Sequence, residues 1–250
     1  MMSRPTRPRP RRSEPPSPPV VVIGASGGVG VGITEALLAA GHSVVAVARQ
    51  RERLLALAQR LGQPAALQTL PASVASDSAA AQLAAELRAR HPRYAGVVVA
   101  VNAPRERGRL LDRDEVFLEN MLHANVVTHL IAARHLIPFL AEGSPGAMYL
   151  ALGGVSAEFP WAGYGYVSIG SAALRMALRV LHEECRDLPV RVQQLSLASP
   201  VRTHLNRECA CSQWLDAGEV GRQVVALLQR SDGQAAVLQL RAGAAQPEPI

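Results

Sequence analysis

Two hundred and fifty residues are enough for one well-buried α/β domain and too few for two comfortable ones, and 48% hydrophobic with 18% charged residues is ordinary for a globular chain. The longest apolar runs, such as Gly96 to Val101, have the length of strands, so no membrane-spanning segment is expected. Most of the net charge of +6 sits in residues 1–19, where Arg4, Arg7, Arg9, Arg11 and Arg12 face only Glu14; this reads as a disordered Arg/Pro-rich tail, and a nucleic-acid partner is not expected.

From Pro19 on, short β-branched runs alternate with stretches of period 3.6. Pro19 to Gly24 is a first strand, followed by a helix with Val29, Ile33, Leu37 and Ala40 on one face. His42 to Ala48 is the second strand and Arg51 to Leu61 a helix burying Leu54, Leu57 and Leu61. Ala65 to Leu70 and an Ala-rich helix, Ser76 to His91, come next. Gly96 to Val101, apolar throughout, suits a strand covered on both faces. A long fourth helix spans Arg113 to Phe139, before a strand at Ala147 to Leu152 and a fifth helix at Val167 to Cys185. Val190 to Leu197, a helix from Ala217 to Leu228 and a strand at Ala235 to Leu240 complete the pattern. Strict alternation implies a single Rossmann-type doubly wound parallel sheet of about seven strands over residues 20–243, with 244–250 a flexible tail.

The segment Gly24-Ala-Ser26-Gly-Gly28-Val29-Gly30 ends a strand and opens a helix. Glycines there permit a tight turn and close backbone approach to a diphosphate resting on the positive helix N-terminus. At the end of the second strand an NAD enzyme would carry a carboxylate for the ribose hydroxyls. This chain has Ala48-Arg49, nineteen residues past Gly30, and a guanidinium can pair with a 2′-phosphate; NADP(H) is the expected cofactor.

These features resemble the short-chain dehydrogenase/reductase family over nearly all of residues 20–243. Gly24, Gly28 and Gly30 match its glycine spacing, with Ile23 where Thr is usual. Val101-Asn102-Ala103-Pro104 resembles its Asn-Asn-Ala-Gly segment, and Ser73-Val74 stands where an Asp-Val pair touches the adenine. Asn125 matches the catalytic Asn, and Ala198 to Thr203 resembles the Pro-Gly-x-Val-x-Thr loop, which implies that Thr203 faces the nicotinamide end. The resemblance also implies a small-molecule partner and oligomers, of one or of two kinds of chain, paired through the fourth and fifth helices.

The family's Ser-Tyr-Lys triad is not matched. Alignment without gaps puts Gly154, Val167 and Ser171 at the three positions; a shift by one recovers Tyr166 with Gly153 and Gly170. Tyr166 is the candidate acid, with Tyr164 and Ser168 near it. A free Tyr is only about 0.1% phenolate at neutral pH, and recovering three pKa units needs roughly 4 kcal/mol of electrostatic help. All basic residues here are Arg, so no Lys supplies it; Arg175, one turn beyond Ser171, is the nearest substitute.

Other groups carry less. His123, His129 and His135 recur every six residues, on different helix faces, and Cys209-x-Cys211 lacks further ligands, so no metal is expected. The odd count of Cys185, Cys209 and Cys211 suits reduced thiols, and the leader lacks the apolar core of a signal peptide; the expected location is the cytoplasm. Three functions remain open: an atypical NADPH-dependent oxidoreductase, a non-redox enzyme such as a cyclase, isomerase or dehydratase, and a non-catalytic subunit or sensor.

Overall fold

The computed structural model, which describes residues 17–230 and 235–250, alternates strands and helices throughout. Residues 1–16 of the expected N-terminal tail lie outside the described residues. The first half runs β1 (Val20–Ile23), α1 (Gly28–Ala39), β2 (Val44–Ala48), α2 (Arg51–Arg60), β3 (Leu67–Pro71), α3 (Asp77–Arg90) and β4 (Gly96–Val99). The second contains α4 (Glu115–Leu122), a π-helical turn (His123–Val127), α5 (Thr128–Gly143), β5 (Ala147–Gly154), α6 (Gly165–Glu184) and β6 (Val190–Leu197). A two-stranded ribbon of β7 (Val201–Arg202) and β8 (Leu215–Asp216) precedes α7 (Ala217–Gln229), β9 (Val237–Leu240) and β10 (Glu248–Pro249).

The main sheet has the order β10-β9-β6-β5-β4-β1-β2-β3 and is parallel except for β10. Every residue of β1 is buried, and their side chains alternate between two cores. Val21 and Ile23 pack with Leu83, Leu87, Leu136 and Leu140 beneath α3 and α5. Val20 and Val22 pack with Ile33, Leu37, Leu54 and Val224 beneath α1, α2 and α7. Each such side chain contributes about 1.5–3 kcal/mol by leaving water.

Two expectations change. Instead of a free tail after residue 243, residues 248–249 pair antiparallel with β9, and Ile250 N–H donates to Val237 O at 3.1 Å. The sheet therefore has eight strands. The long fourth helix is α4 and α5 joined by the π turn; it alone among the described helices is long and apolar enough to cross a membrane, and half of its most apolar window is buried in the fold. Ala132, Leu136, Ile137 and Leu140 explain that hydropathy as sheet-facing core.

Candidate active site

β1 pairs with β2 on one side and β4 on the other, so the crevice where the winding reverses opens above the start of α1. Gly24 takes φ +84°, and a Cβ on Gly30 would stand 2.1 Å from Gly24 O, so the turn closes only with glycine at both positions. Ser26, Gly28 and Val29 are half-buried around the helix start, whose N-cap Gly27 offers no side-chain cap. The first-turn N–H groups of α1 thus keep their positive field free for an anion.

A cleft of about 610 Å³ runs from Gly28 and Val29 past Val101, Asn102 and Asn125 to Gly154 and Thr203. Ala103 is buried, and its N–H donates to Asn125 Oδ1 at 3.3 Å; Asn125 Nδ2 donates to Met121 O at 2.8 Å. Asn125 therefore clasps the β4 loop to the π turn, which tilts its side chain inward. Thr203 touches the glycine loop: a Cβ on Gly28 would lie 2.7 Å from its Oγ1. Asn206, which sequence reasoning passed over, ties that loop together by accepting from Thr203 N at 2.7 Å and Thr203 Oγ1 at 3.1 Å and donating to Val201 O at 2.9 Å.

Tyr166 does not reach the cleft. It is buried, packs edge-on against Phe117 with ring centroids 5.2 Å apart, and its hydroxyl oxygen accepts from Glu106 N–H at 2.6 Å. Its expected role as the acid is withdrawn for that reason. Val167 and Ser171 line the cleft instead, opposite Gly154. Ser171 Oγ lies 2.9 Å from Ser156 Oγ. Arg175 turns away: its Nη1 binds Glu158 Oε1 at 2.5 Å and its Nη2 donates to Ser196 Oγ at 2.8 Å. The nearer tyrosine is Tyr164, at the cleft mouth with its ring 4.5 Å from that of Trp161, over which Arg105 lies at 5.2 Å. Ser168 is spent on the loop, accepting from Trp161 N–H at 3.0 Å.

At the other end of the crevice Arg49 is exposed, free of ion pairs to described residues, and rims a hollow of about 350 Å³ with Ser73. Ser73 Oγ accepts from Ala75 N–H at 3.1 Å, and Val74 is buried beneath. The hollow's one carboxylate, Glu86, is 3.8 Å from Arg90. These residues fit a phosphate-bearing dinucleotide: a bare helix start in the middle, an apolar and hydroxyl-lined cleft on one side, an uncompensated guanidinium on the other.

His123 meets Ala75 O and His135 meets Asp77, each at 2.9 Å, whereas His129 lies inside, lining the cleft. His129 Nε2 is 3.1 Å from Val101 O and so carries the proton, leaving Nδ1 buried without a partner among the described residues. Burial pushes this ring's pKa down to about 4, keeping it neutral. No group of three or more metal-ligating side chains occurs among the described residues. Cys185, Cys209 and Cys211 are unbridged.

A family profile described as short chain dehydrogenase matches residues 19–212. The NADPH-dependent 1-acyldihydroxyacetone phosphate reductase of Saccharomyces cerevisiae is 29% identical over 174 residues, 69% of this chain and 57% of that protein. Two solved structures share the fold. The RhlG/NADP active-site complex of Pseudomonas aeruginosa is 23% identical with a TM-score of 0.78, covering 91% of this chain and 96% of that one. A short chain oxidoreductase of Pseudomonas aeruginosa PAO1, described as containing an atypical catalytic center, is 18% identical with a TM-score of 0.79, covering 91% and 97%.

Proposed function

The chain belongs to the short chain dehydrogenase family, and from that premise we propose that it is an NADP(H)-dependent oxidoreductase with a non-standard active site, acting on a carbonyl or hydroxyl group of a small molecule. The observation that carries this reading is the bare start of α1, which opens onto the cleft at Gly28 and Val29, with Arg49 bordering a separate hollow just past the end of the neighbouring strand β2. Gly24, Ser26, Gly28, Val29 and Gly30 would hold the diphosphate, Arg49 the 2′-phosphate, Ser73 and Val74 the adenine. Asn102, Ala103 and Thr203 would border the nicotinamide end. The NADP complex of RhlG and the NADPH dependence of the yeast reductase support the choice of cofactor.

The nicotinamide, when bound, supplies or accepts a hydride. The chain's share is to place and polarise the substrate. The Ser156–Ser171 pair can donate one hydroxyl proton toward a substrate oxygen while its other hydroxyl stays hydrogen-bonded. Tyr164 stands where a proton can enter from the mouth, and Trp161 beside it sheds water. With Gly154, Val167 and Ser171 at the triad positions and no Lys in the chain, this chemistry lacks the usual lowering of a tyrosine pKa, and turnover is expected to be slow. The structural neighbour described as having an atypical center supports such a departure.

Val167 at the tyrosine position favours a second reading, a cofactor-binding subunit or sensor that does not turn over. Following NADPH absorbance against a panel of aldehydes and ketones separates the two: substrate-dependent oxidation supports the oxidoreductase, and binding without oxidation supports the sensor. A second copy of the chain is the partner we assign to the outer faces of α4–α5 and α6, where Val116, Leu130, Ile169, Met176 and Val180 are exposed. Three unbridged thiols and the NADPH dependence suit a cytoplasmic location.

A further inference from the structure

A second depression, of about 790 Å³, lies on the opposite side of the Gly28–Thr203 contact from the cleft. One wall is α1 along Gly28, Gly32 and Ala36; the others are the end of α2, the loop after β7 and the start of α7. Arg60, Arg202, Arg207 and Arg222 come to it from three of these walls, against the carboxylates Glu35 and Asp216 alone. Asp216 is held by Arg202, Nη2 to Oδ2 at 3.3 Å. Arg60, Arg207 and Arg222 form no salt bridge with a described residue, and Glu35 forms none with them. Three guanidinia without an ion-pair partner among the described residues therefore border the groove, against one carboxylate, Glu35, that is likewise unpaired.

We propose that this groove binds a compact, multiply charged phosphate anion at a site separate from the dinucleotide cleft. A guanidinium presents a planar fork of donors that matches phosphate oxygens two at a time, and like charges gathered around a concave surface focus the field that attracts such an anion. The groove's volume of about 790 Å³ admits a diphosphate without a long apolar body. His204 lies among these side chains, and burial first, then Arg60 and Arg207, hold its pKa below the ordinary histidine value, so both guanidinia act within the groove. The proposal does not depend on the reaction assigned to the cleft.

Calorimetric titration of the full chain with inorganic pyrophosphate at low ionic strength tests it. With NADPH saturating, so that the diphosphate seat at the start of α1 is filled, the expected result is one remaining pyrophosphate site per chain, weakened at least tenfold in the Arg207→Ala/Arg222→Ala double variant and by raised salt. Both side chains are exposed, so the double variant should keep the parent's thermal unfolding; if it does not fold, Arg60→Gln provides the same reading. No binding, equal binding by the variants, or loss of binding when NADPH is present would overturn the proposal, the last because it would make the groove part of the cofactor's own diphosphate seat.

Discussion

Ser156 and Ser171 meet hydroxyl to hydroxyl at 2.9 Å across the cleft, one on the short turn after β5 and the other on α6. On the non-standard active site proposed above, Ser171 would stand where the family has a lysine, and the site would keep a hydrogen-bonding pair in place of a fixed positive charge. Replacing Ser171 by Ala should lower turnover about tenfold, the value of one hydrogen bond to a charged oxygen, while leaving NADPH affinity within twofold. Steady-state rates alongside cofactor titration read this; equal turnover would remove the pair from the chemistry.

Tyr164 and Tyr166 should separate cleanly. Tyr166→Phe loses the bond to Glu106 N–H and should cost about 1 kcal/mol of stability with turnover unchanged. Tyr164→Phe should leave the melting temperature unchanged and reduce turnover. Thermal unfolding and rates measured on both variants check the assignment, and the opposite pattern would restore Tyr166 as the acid.

Stability should fall with acid because of His129. Its folded pKa is about 4, below the unfolded value near 6.5, so between these pH values the unfolded chain binds a proton that the folded chain refuses. The folded state therefore loses stability as pH drops through that window, by about 3 kcal/mol in all, and this loss levels off below about pH 4. In His129→Phe that slope should flatten. Urea titrations at pH 7, 5.5 and 4 measure it, and identical slopes in parent and variant would assign the acid sensitivity elsewhere.

The outer faces of α4–α5 and α6 should seat a second copy. Met176→Glu with Val180→Glu places two charges on that exposed apolar strip and should convert the parent's oligomer to monomers by light scattering without loss of helix content. A parent that is monomeric at micromolar concentration would contradict the assignment.

Much of this architecture was legible in the residues. The strands read at Pro19 to Gly24 and Gly96 to Val101 contain β1 and β4, where Val20–Ile23 and Val97–Val99 are buried, and the glycine loop announced the crevice through its spacing. The C-terminal strand was not legible: two exposed residues, one of them Pro249, carry no periodicity, and only the partner β9 defines them. Nor could an alignment choose between Tyr166 and Val167, since one residue on a helix is a rotation of about 100°. The choice is made by packing. A Cβ on Gly170 would stand 2.9 Å from Asn125 Cβ, so α6 seats its glycine against the π turn, sending Tyr166 toward Phe117 and Val167 into the cleft. Asn206 and Ser156 were missed because their partners, Thr203 and Ser171, are set by loop closure and by packing across the cleft.

Titration of the purified chain with NADPH and with NADH, followed by cofactor fluorescence, tests the central claim most directly. Saturable NADPH binding is expected, with NADH weaker by about tenfold or more and the difference abolished in Arg49→Ala, as loss of a charge-assisted phosphate contact requires. Failure of NADPH to saturate, or equal affinity for both coenzymes in the parent, would contradict it.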